Sequence, residues 1–320
     1  MAEQSIIDVL IIGGGPAGLS AALALARQRH TITLFDSQEY RNRDLQNLHL
    51  VPSWEHKPAE EVSTTGRSEL QKYDNVQIEL LKVESAKKLN DSLFELTDAL
   101  GGSHRGRKLV LANGVEEMFP DVKGYNECWG NSIFYNPFCN GYEESKEWKT
   151  SGVLAMQIIA IPKFAVHIAH MAAQLTTEIT IYTNGSEDLA KEIMANSGPH
   201  PTWKTDPRAI QSLRRHSETG SGIDVIFEDG ASVTEGFISH MPSTRARGLF
   251  AEQLGLEVGP SGDYVVTAPM TATNVGGVYA AGDCMSFSKV ATNAIFNGAL
   301  TGATVAIKLQ EEKFGLTPIF

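Results

Sequence analysis

Ile6-Ile7-Asp8-Val9-Leu10-Ile11-Ile12-Gly13-Gly14-Gly15-Pro16-Ala17-Gly18 is the stretch on which the fold turns. Its first seven residues are a nearly unbroken apolar run, the pattern of a parallel strand buried on both faces. The run enters a glycine turn, and Leu19 to Arg29 then reads as a helix. A second strand, Thr31 to Phe35, ends in Asp36. Strand, turn, helix, strand and acid in this order form the βαβ context of a dinucleotide site. Gly13 permits the tight turn, Gly15 lets a pyrophosphate approach the backbone, and Gly18 lets the helix pack close to the strand. The helix N-terminus, with Pro16 and Ala17, faces the phosphates. Asp36, with Ser37 beside it, can accept hydrogen bonds from a ribose. A glycine-rich loop without a ligand is the bland alternative, and the completeness of the unit argues against it.

Outward from this stretch, 320 residues suggest two domains or one large α/β unit. Hydrophobic residues at 42% and charged residues at 20% describe a globular chain and exclude a disordered or fibrous one. Twenty-seven Lys plus Arg against thirty-eight Asp plus Glu give a net charge of −11. Such a surface repels nucleic acid and anionic membrane, so neither is expected as a partner. The three cysteines, Cys128, Cys139 and Cys284, are too few and too scattered for a secreted disulfide framework. Met1 to Leu10 lacks the basic start and apolar core of a signal peptide. The longest apolar stretch, near Val153 to Ile161, is about half a membrane span. A soluble cytoplasmic protein is expected.

Residues Tyr40 to Pro58 are polar and irregular, and Asn75 to Ala99 looks like alternating strands. Lys108 to Ala112 is a short strand ending at Asn113-Gly114. A second βαβ-like passage follows, with strands at Gly152 to Ile161 and Glu178 to Tyr182 around a helix at Lys163 to Leu175. Ile223 to Phe227 with Glu228-Asp229-Gly230 predicts a hairpin. Val278 to Asp283 is a strand entering a Gly-Asp turn, before a small-residue helix at Thr292 to Gln310. His167 and His170 lie one helical turn apart without an acid or cysteine of suitable spacing, so no metal site is expected.

Thr273-Asn274-Val275-Gly276-Gly277-Val278-Tyr279-Ala280-Ala281-Gly282-Asp283 resembles the second FAD fingerprint of the two-dinucleotide flavoprotein reductases. Leu109-Val110-Leu111-Ala112-Asn113-Gly114 resembles their A-T-G stretch, with Asn113 in place of threonine. The likeness narrows to thioredoxin reductases of low molecular weight, and among them to the fungal dithiol oxidases of gliotoxin-type epidithiodioxopiperazine toxins. Tyr40-Arg41-Asn42, His49-Leu50-Val51-Pro52-Ser53-Trp54 and Phe138-Cys139-Asn140-Gly141-Tyr142-Glu143 carry that narrower likeness. The resemblance covers the whole chain. It implies FAD, a homodimer, and a discontinuous FAD domain (about 1–120 and 245–320) with a smaller Rossmann-like domain inserted at about 121–244. It further implies FAD contacts from Arg41, Asn42, His49, Ala112, Asn113, Gly114, Gly282, Asp283, Lys289, Val290 and Ala291, beside the first glycine turn.

Two departures from that pattern decide the chemistry. The family carries Cys-x-x-Cys, whose first cysteine exchanges with substrate and whose second lies against the flavin. Here the stretch reads Tyr135-Asn136-Pro137-Phe138-Cys139-Asn140, so Asn136 replaces the exchanging thiol. Disulfide exchange needs a thiolate, and an amide cannot supply one. The flanking histidines of the similar group are also replaced, by Tyr135 and Asn140, which leaves His49 as a candidate base. Cys128 and Cys284 are expected to be small buried hydrophobes rather than replacements. The second departure is in the inserted domain, where Ile158-Ile159-Ala160-Ile161-Pro162-Lys163 offers no glycine for a pyrophosphate. NADPH binding is not expected there.

The expected activity is an FAD-dependent, NADPH-independent oxidoreductase that forms or rearranges a sulfur bridge in a diketopiperazine-type dithiol and passes electrons to O2. Cys139 could act alone, or a substrate thiolate could meet the flavin directly. The alternatives are a redox-silent FAD-binding protein that sequesters a metabolite and, less favoured, an NADPH-dependent disulfide reductase.

Overall fold

The computed structural model describes residues 6–41, 43, 47–198 and 203–319. The chain divides into two units, Met1–Glu116 with Thr244–Phe320, and Glu117–Ser243.

In the first unit, β1 (Ile7–Ile12) is followed by α1 (Pro16–Arg27) and β2 (Ile32–Phe35). Next come α2 (Ala59–Leu70), β3 (Val76–Glu79), β4 (Val83–Asn90), β5 (Leu93–Asp98) and β6 (Ser103–Leu111). The sheet order is β3-β2-β1-β6-β5-β4, and the strand Val278–Ala280 also pairs with β6. β1 runs parallel to β2 and β6, with Ile11 opposite Leu34 and Val110. The β4-β5-β6 part is antiparallel.

The apolar run of β1 is unbroken because both of its faces are covered. Val9 and Ile11 enter a core with α1 and the long helix Ala291–Phe314. Leu10 and Ile12 enter another with Phe94, Leu96 and Phe250. Each such fully buried side chain stabilises the fold by about 1.5–3 kcal/mol. The long helix packs on α1 through small residues. A Cβ at Gly298 would lie 2.1 Å from the Ala17 carbonyl oxygen, and one at Gly302 would lie 2.5 Å from that of Ala21.

The second unit is built on a five-stranded sheet. Its order is Trp203–Asp206, Glu178–Tyr182, Thr150–Leu154, Ile238–Ser239 and Ile133–Phe134, all parallel. The hairpin Ile223–Phe227 with Ser232–Glu235 forms as expected, joined by Ile210–Arg215 in a three-stranded antiparallel sheet.

One local expectation changes, and two further helices are present. The strand read over Gly152 to Ile161 stops at Leu154, and Gln157–Ala160 form a 3-10 turn before the helix Pro162–Ala172. α2 was not legible as an amphipathic stretch, because only Ala59, Ser63 and Leu70 are buried along it. The helix Glu187–Ala195, with Ser186 accepting a cap bond from Leu189 N, also went unread. Among the described residues no helix is long and apolar enough to cross a membrane.

Candidate flavin cradle and the Asn136–Cys139 turn

The glycines of the first turn divide by function once their surroundings are known. Gly13 has φ +114°, and a Cβ there would sit 2.1 Å from the Ala112 carbonyl oxygen. A Cβ at Gly18 would sit 1.8 Å from the Gly13 oxygen, and one at Gly14 would sit 2.2 Å from the Asp36 carboxyl carbon. The chain itself therefore requires these three. At Gly15 a Cβ would meet nothing within 4 Å among the described residues. Gly15 is also the N-cap of α1, with no side-chain cap and no acid in the first turn. The N–H groups of the first turn thus point to an open face with the positive end of the helix dipole behind them. An uncovered helix N-terminus beside the one glycine the fold does not need fits the pyrophosphate of a dinucleotide.

Asp36 ends β2 and is almost wholly buried. Its Oδ1 accepts from Gln38 N at 2.9 Å, and its Oδ2 accepts from Tyr40 Oη at 2.5 Å and Arg67 Nη1 at 2.8 Å. A carboxylate offers about four acceptor sites, so room remains for about one ribose hydroxyl. Arg67 is a partner the sequence reading missed, because α2 was missed. The usable clues were Pro58 and the acids Glu60 and Glu61 of the first turn. Ser37 is exposed beside this cluster.

The other segments converge on the same unit. A Cβ at Gly282, where φ is +78°, would lie 2.7 Å from the Ala17 Cβ, so the second fingerprint abuts the first. Arg41 Nη1 donates to Asp283 Oδ2 at 3.2 Å and to the Lys289 carbonyl at 3.3 Å. Lys289 is buried, and its ammonium donates to Asp263 Oδ1 at 2.7 Å and to the carbonyls of Asp283 and Ser286. All three donors are spent within the chain, which makes Lys289 a brace for this turn. Val290 caps the long helix and Ala291 begins it. Ala112 is buried at the end of β6. The Asn113 amide donates to the Arg247 carbonyl and to Tyr264 Oη, while its own Oδ1 is buried without a partner among the described residues. Gly114 has φ +66° and open space about it. Asn42 lies outside the described residues.

His49 sits in the loop after Leu48, its side chain 10% exposed, with Nδ1 2.7 Å from Glu55 Oε1. Cys284 is fully buried, its thiol bonded to the carbonyls of Leu111 and Ala281. Burial pushes that thiol up to about 12.

In the second unit, Tyr135, Asn136 and Cys139 leave the strand Ile133–Phe134 at its carboxyl end, where parallel sheets place ligand clefts. The Asn136 side chain accepts from Phe138 N at 2.9 Å and Cys139 N at 3.0 Å. Its carbonyl accepts from Cys139 N as well. Asn136 therefore caps the turn that carries Cys139, and Cys139 is half-buried. Cys128 is fully buried, its thiol pushed up to about 11 by desolvation. Thiols so raised hold negligible thiolate near neutrality, which removes Cys128 and Cys284 from exchange chemistry. His167 and His170 are exposed on the helix Pro162–Ala172, and His170 lies edge-on to Trp203.

The segment Ala155–Ile161 occupies the place of a nucleotide turn in this unit. Gln157 tethers it, donating to the Met118 carbonyl at 2.7 Å and accepting from Ser243 N at 2.9 Å. Ile159 is fully buried. His240, another residue the sequence reading missed, places Nε2 3.4 Å from the Met156 carbonyl and Nδ1 2.6 Å from Tyr125 Oη. Burial lowers its pKa to about 4, so it is neutral.

A dinucleotide cradle, a second fingerprint folded against it and an inserted Rossmann-like unit define a two-domain flavoprotein oxidoreductase. Residues 7–298 match the pyridine nucleotide-disulphide oxidoreductase family, and the chain belongs to it. The chain is 40% identical over 322 residues to "Thioredoxin reductase tcpT" of Claviceps purpurea, spanning 100% of this chain and 99% of that protein. It is 37% identical over 307 residues to "Thioredoxin reductase aclD" of Aspergillus oryzae, spanning 95% and 96%. Among solved structures, an oxidoreductase from Agrobacterium tumefaciens superposes with a TM-score of 0.84 at 29% identity, covering 96% of this chain and 99% of that one. The protein is an FAD-binding oxidoreductase.

Proposed function

We propose that the chain is an NADPH-independent dithiol oxidase. It closes or rearranges a sulfur bridge on a small diketopiperazine-type metabolite and passes the electrons to O2. The observation that carries this reading is Asn136. A protein that reduces thioredoxin needs an exchanging thiol, and here that position holds an amide whose oxygen caps the Cys139 turn. The glycine-free segment Ala155–Ile161, tethered by Gln157 and anchored by Ile159, supports independence from NADPH.

The balance is dithiol plus O2 to disulfide plus hydrogen peroxide. FAD, when bound, supplies the two-electron acceptor. In this chain α1 and the Gly15 turn would hold its pyrophosphate, and Asp36 its ribose. The Arg41–Asp283–Lys289 cluster would brace the turn before the long helix, and His49 would take a proton from a substrate thiol. Cys139 would be the flavin-side sulfur. A cytoplasmic homodimer completes the reading. A redox-silent FAD protein that sequesters a metabolite is the second reading, and the same capped Asn136 favours it.

The test is anaerobic mixing of the FAD-loaded protein with a dithiol-bearing diketopiperazine, and separately with NADPH, while flavin absorbance is followed. Bleaching by the dithiol, none by NADPH, and peroxide on admitting air are expected. Bleaching by NADPH alone would restore the reductase reading, and no bleaching by either would favour sequestration. Full bleaching of Cys139→Ser would assign the chemistry to the substrate's own thiols.

A further inference from the structure

The loop Leu48–Lys57 is more constrained than its polar sequence suggests. Leu48 N donates to the Lys57 carbonyl at 2.7 Å and His56 N to the Leu48 carbonyl at 3.0 Å, which closes the neck. Within it Trp54 N donates to the Val51 carbonyl. Leu50, Ser53 and His56 have φ of 64°, 70° and 62°, a region that L side chains enter at a cost. Such strain gathers where surrounding structure holds a functional geometry.

The geometry held here is a carboxylate–imidazole pair. Glu55 meets His49 Nδ1 at 2.7 Å through Oε1 and takes Leu50 N–H at 2.9 Å through Oε2. With both oxygens engaged, the carboxylate cannot swing away. The His56 ring lies edge-on to that of His49, 5.1 Å between centroids. The hydrogen bond from His49 holds the Glu55 carboxyl below its usual range, so it is ionised at neutral pH. An ionised carboxylate only accepts hydrogen bonds, so Nδ1 carries a proton, and the neutral ring then has its lone pair on Nε2.

We infer that Glu55 is a positioning residue that fixes His49 in the Nδ1–H tautomer and presents Nε2 as the proton acceptor for a substrate thiol. The inference rests on the dithiol reading above, in which Tyr135 and Asn140 stand where the similar group has histidines. Closing a disulfide releases two electrons and two protons. FAD, when bound, would accept the electrons and one proton, and His49 would take the other proton and return it to water.

The experiment is nitrogen–proton correlated NMR of the imidazoles in the FAD-loaded protein near neutral pH, for wild type and Glu55→Gln. The same samples are then mixed anaerobically with dithiothreitol. The wild type is expected to show His49 as Nδ1–H, and Glu55→Gln to shift it toward Nε2–H. Flavin reduction by dithiothreitol should slow by roughly 10- to 100-fold in Glu55→Gln, with little further loss when His49→Asn is added. Nε2–H in the wild type overturns the assignment without any variant. A Glu55→Gln rate within about twofold of wild type does so too, since a positioned general base contributes about 100-fold or more. If dithiothreitol fails to reduce even the wild type, the dithiol reading fails, and the tautomer alone then decides the role of Glu55.

Discussion

Residues 13–18 and 155–161 both join a buried parallel strand to a helix whose first turn carries a proline, Pro16 in one and Pro162 in the other. In the first turn, glycines bring the backbone to the surface and leave Gly15 uncovered. In the second, the chain winds into a 3-10 turn that seats Ile159 in the core and ties the Gln157 amide to Met118 and Ser243. Phosphate recognition needs the ligand to approach the backbone closely, and residues 155–161 hold no glycine to allow it. One topology thus yields a nucleotide cradle and a closed joint, and the difference resides in a handful of side chains.

Two substitutions in the first turn would break this comparison most visibly. Gly18→Ala puts a methyl 1.8 Å from a backbone oxygen and should cost about 3 kcal/mol in urea unfolding. Gly15→Val has open space and should cost no more than about 1 kcal/mol, the loss of a good N-cap residue. Yet it should weaken FAD binding by on the order of 100-fold, the worth of about two charge-assisted hydrogen bonds. Flavin titration of the apoprotein measures this. Undiminished FAD affinity in Gly15→Val would mean that the open face is not the phosphate site.

The second turn is sharpened through His240, which lies against the Met156 carbonyl. Its pKa is near 4 in the folded protein against 6.5 for the free side chain. The unfolded chain therefore binds more protons between these values, so stability is full above pH 6.5 and falls as the pH drops toward 4. About 3 kcal/mol should disappear across that window. Urea unfolding at several pH values should show a flatter profile for His240→Phe. An equal slope in that variant would mean that other groups carry the acid sensitivity.

A smaller effect is expected at the Cys139 turn. Asn136→Ala removes the acceptor for Phe138 N and Cys139 N and should cost about 1 kcal/mol. Hydrogen exchange should quicken by roughly fivefold at those two amides, because about 1 kcal/mol of local protection is lost. Unchanged exchange at Cys139 would show that its backbone bond to the Asn136 carbonyl suffices.

Much of the cradle was readable because its signals are local. An apolar run buried on two faces, glycines at fixed spacing and a terminal acid all lie within one βαβ unit. The partners of that acid were not readable. Arg67 comes from a helix with few buried positions, and Tyr40 from an irregular stretch. The same holds for Lys289 with Asp263, which are 26 residues apart, and for Tyr125 with His240, 115 apart. No period or spacing connects such pairs.

By itself the sequence determined the fold class, the dinucleotide turn, the amide at Asn136 three residues before Cys139 and the glycine-free stretch 155–161. These are statements about which chemical groups exist and in what order. Only the tertiary structure decided that Gly15 alone among the first turn's glycines is spare, that Asn136 caps Cys139, that Glu55 grips His49, and that Cys128 and Cys284 are sealed in the core. Each of these depends on what lies within a few ångströms, and that distance is set by packing.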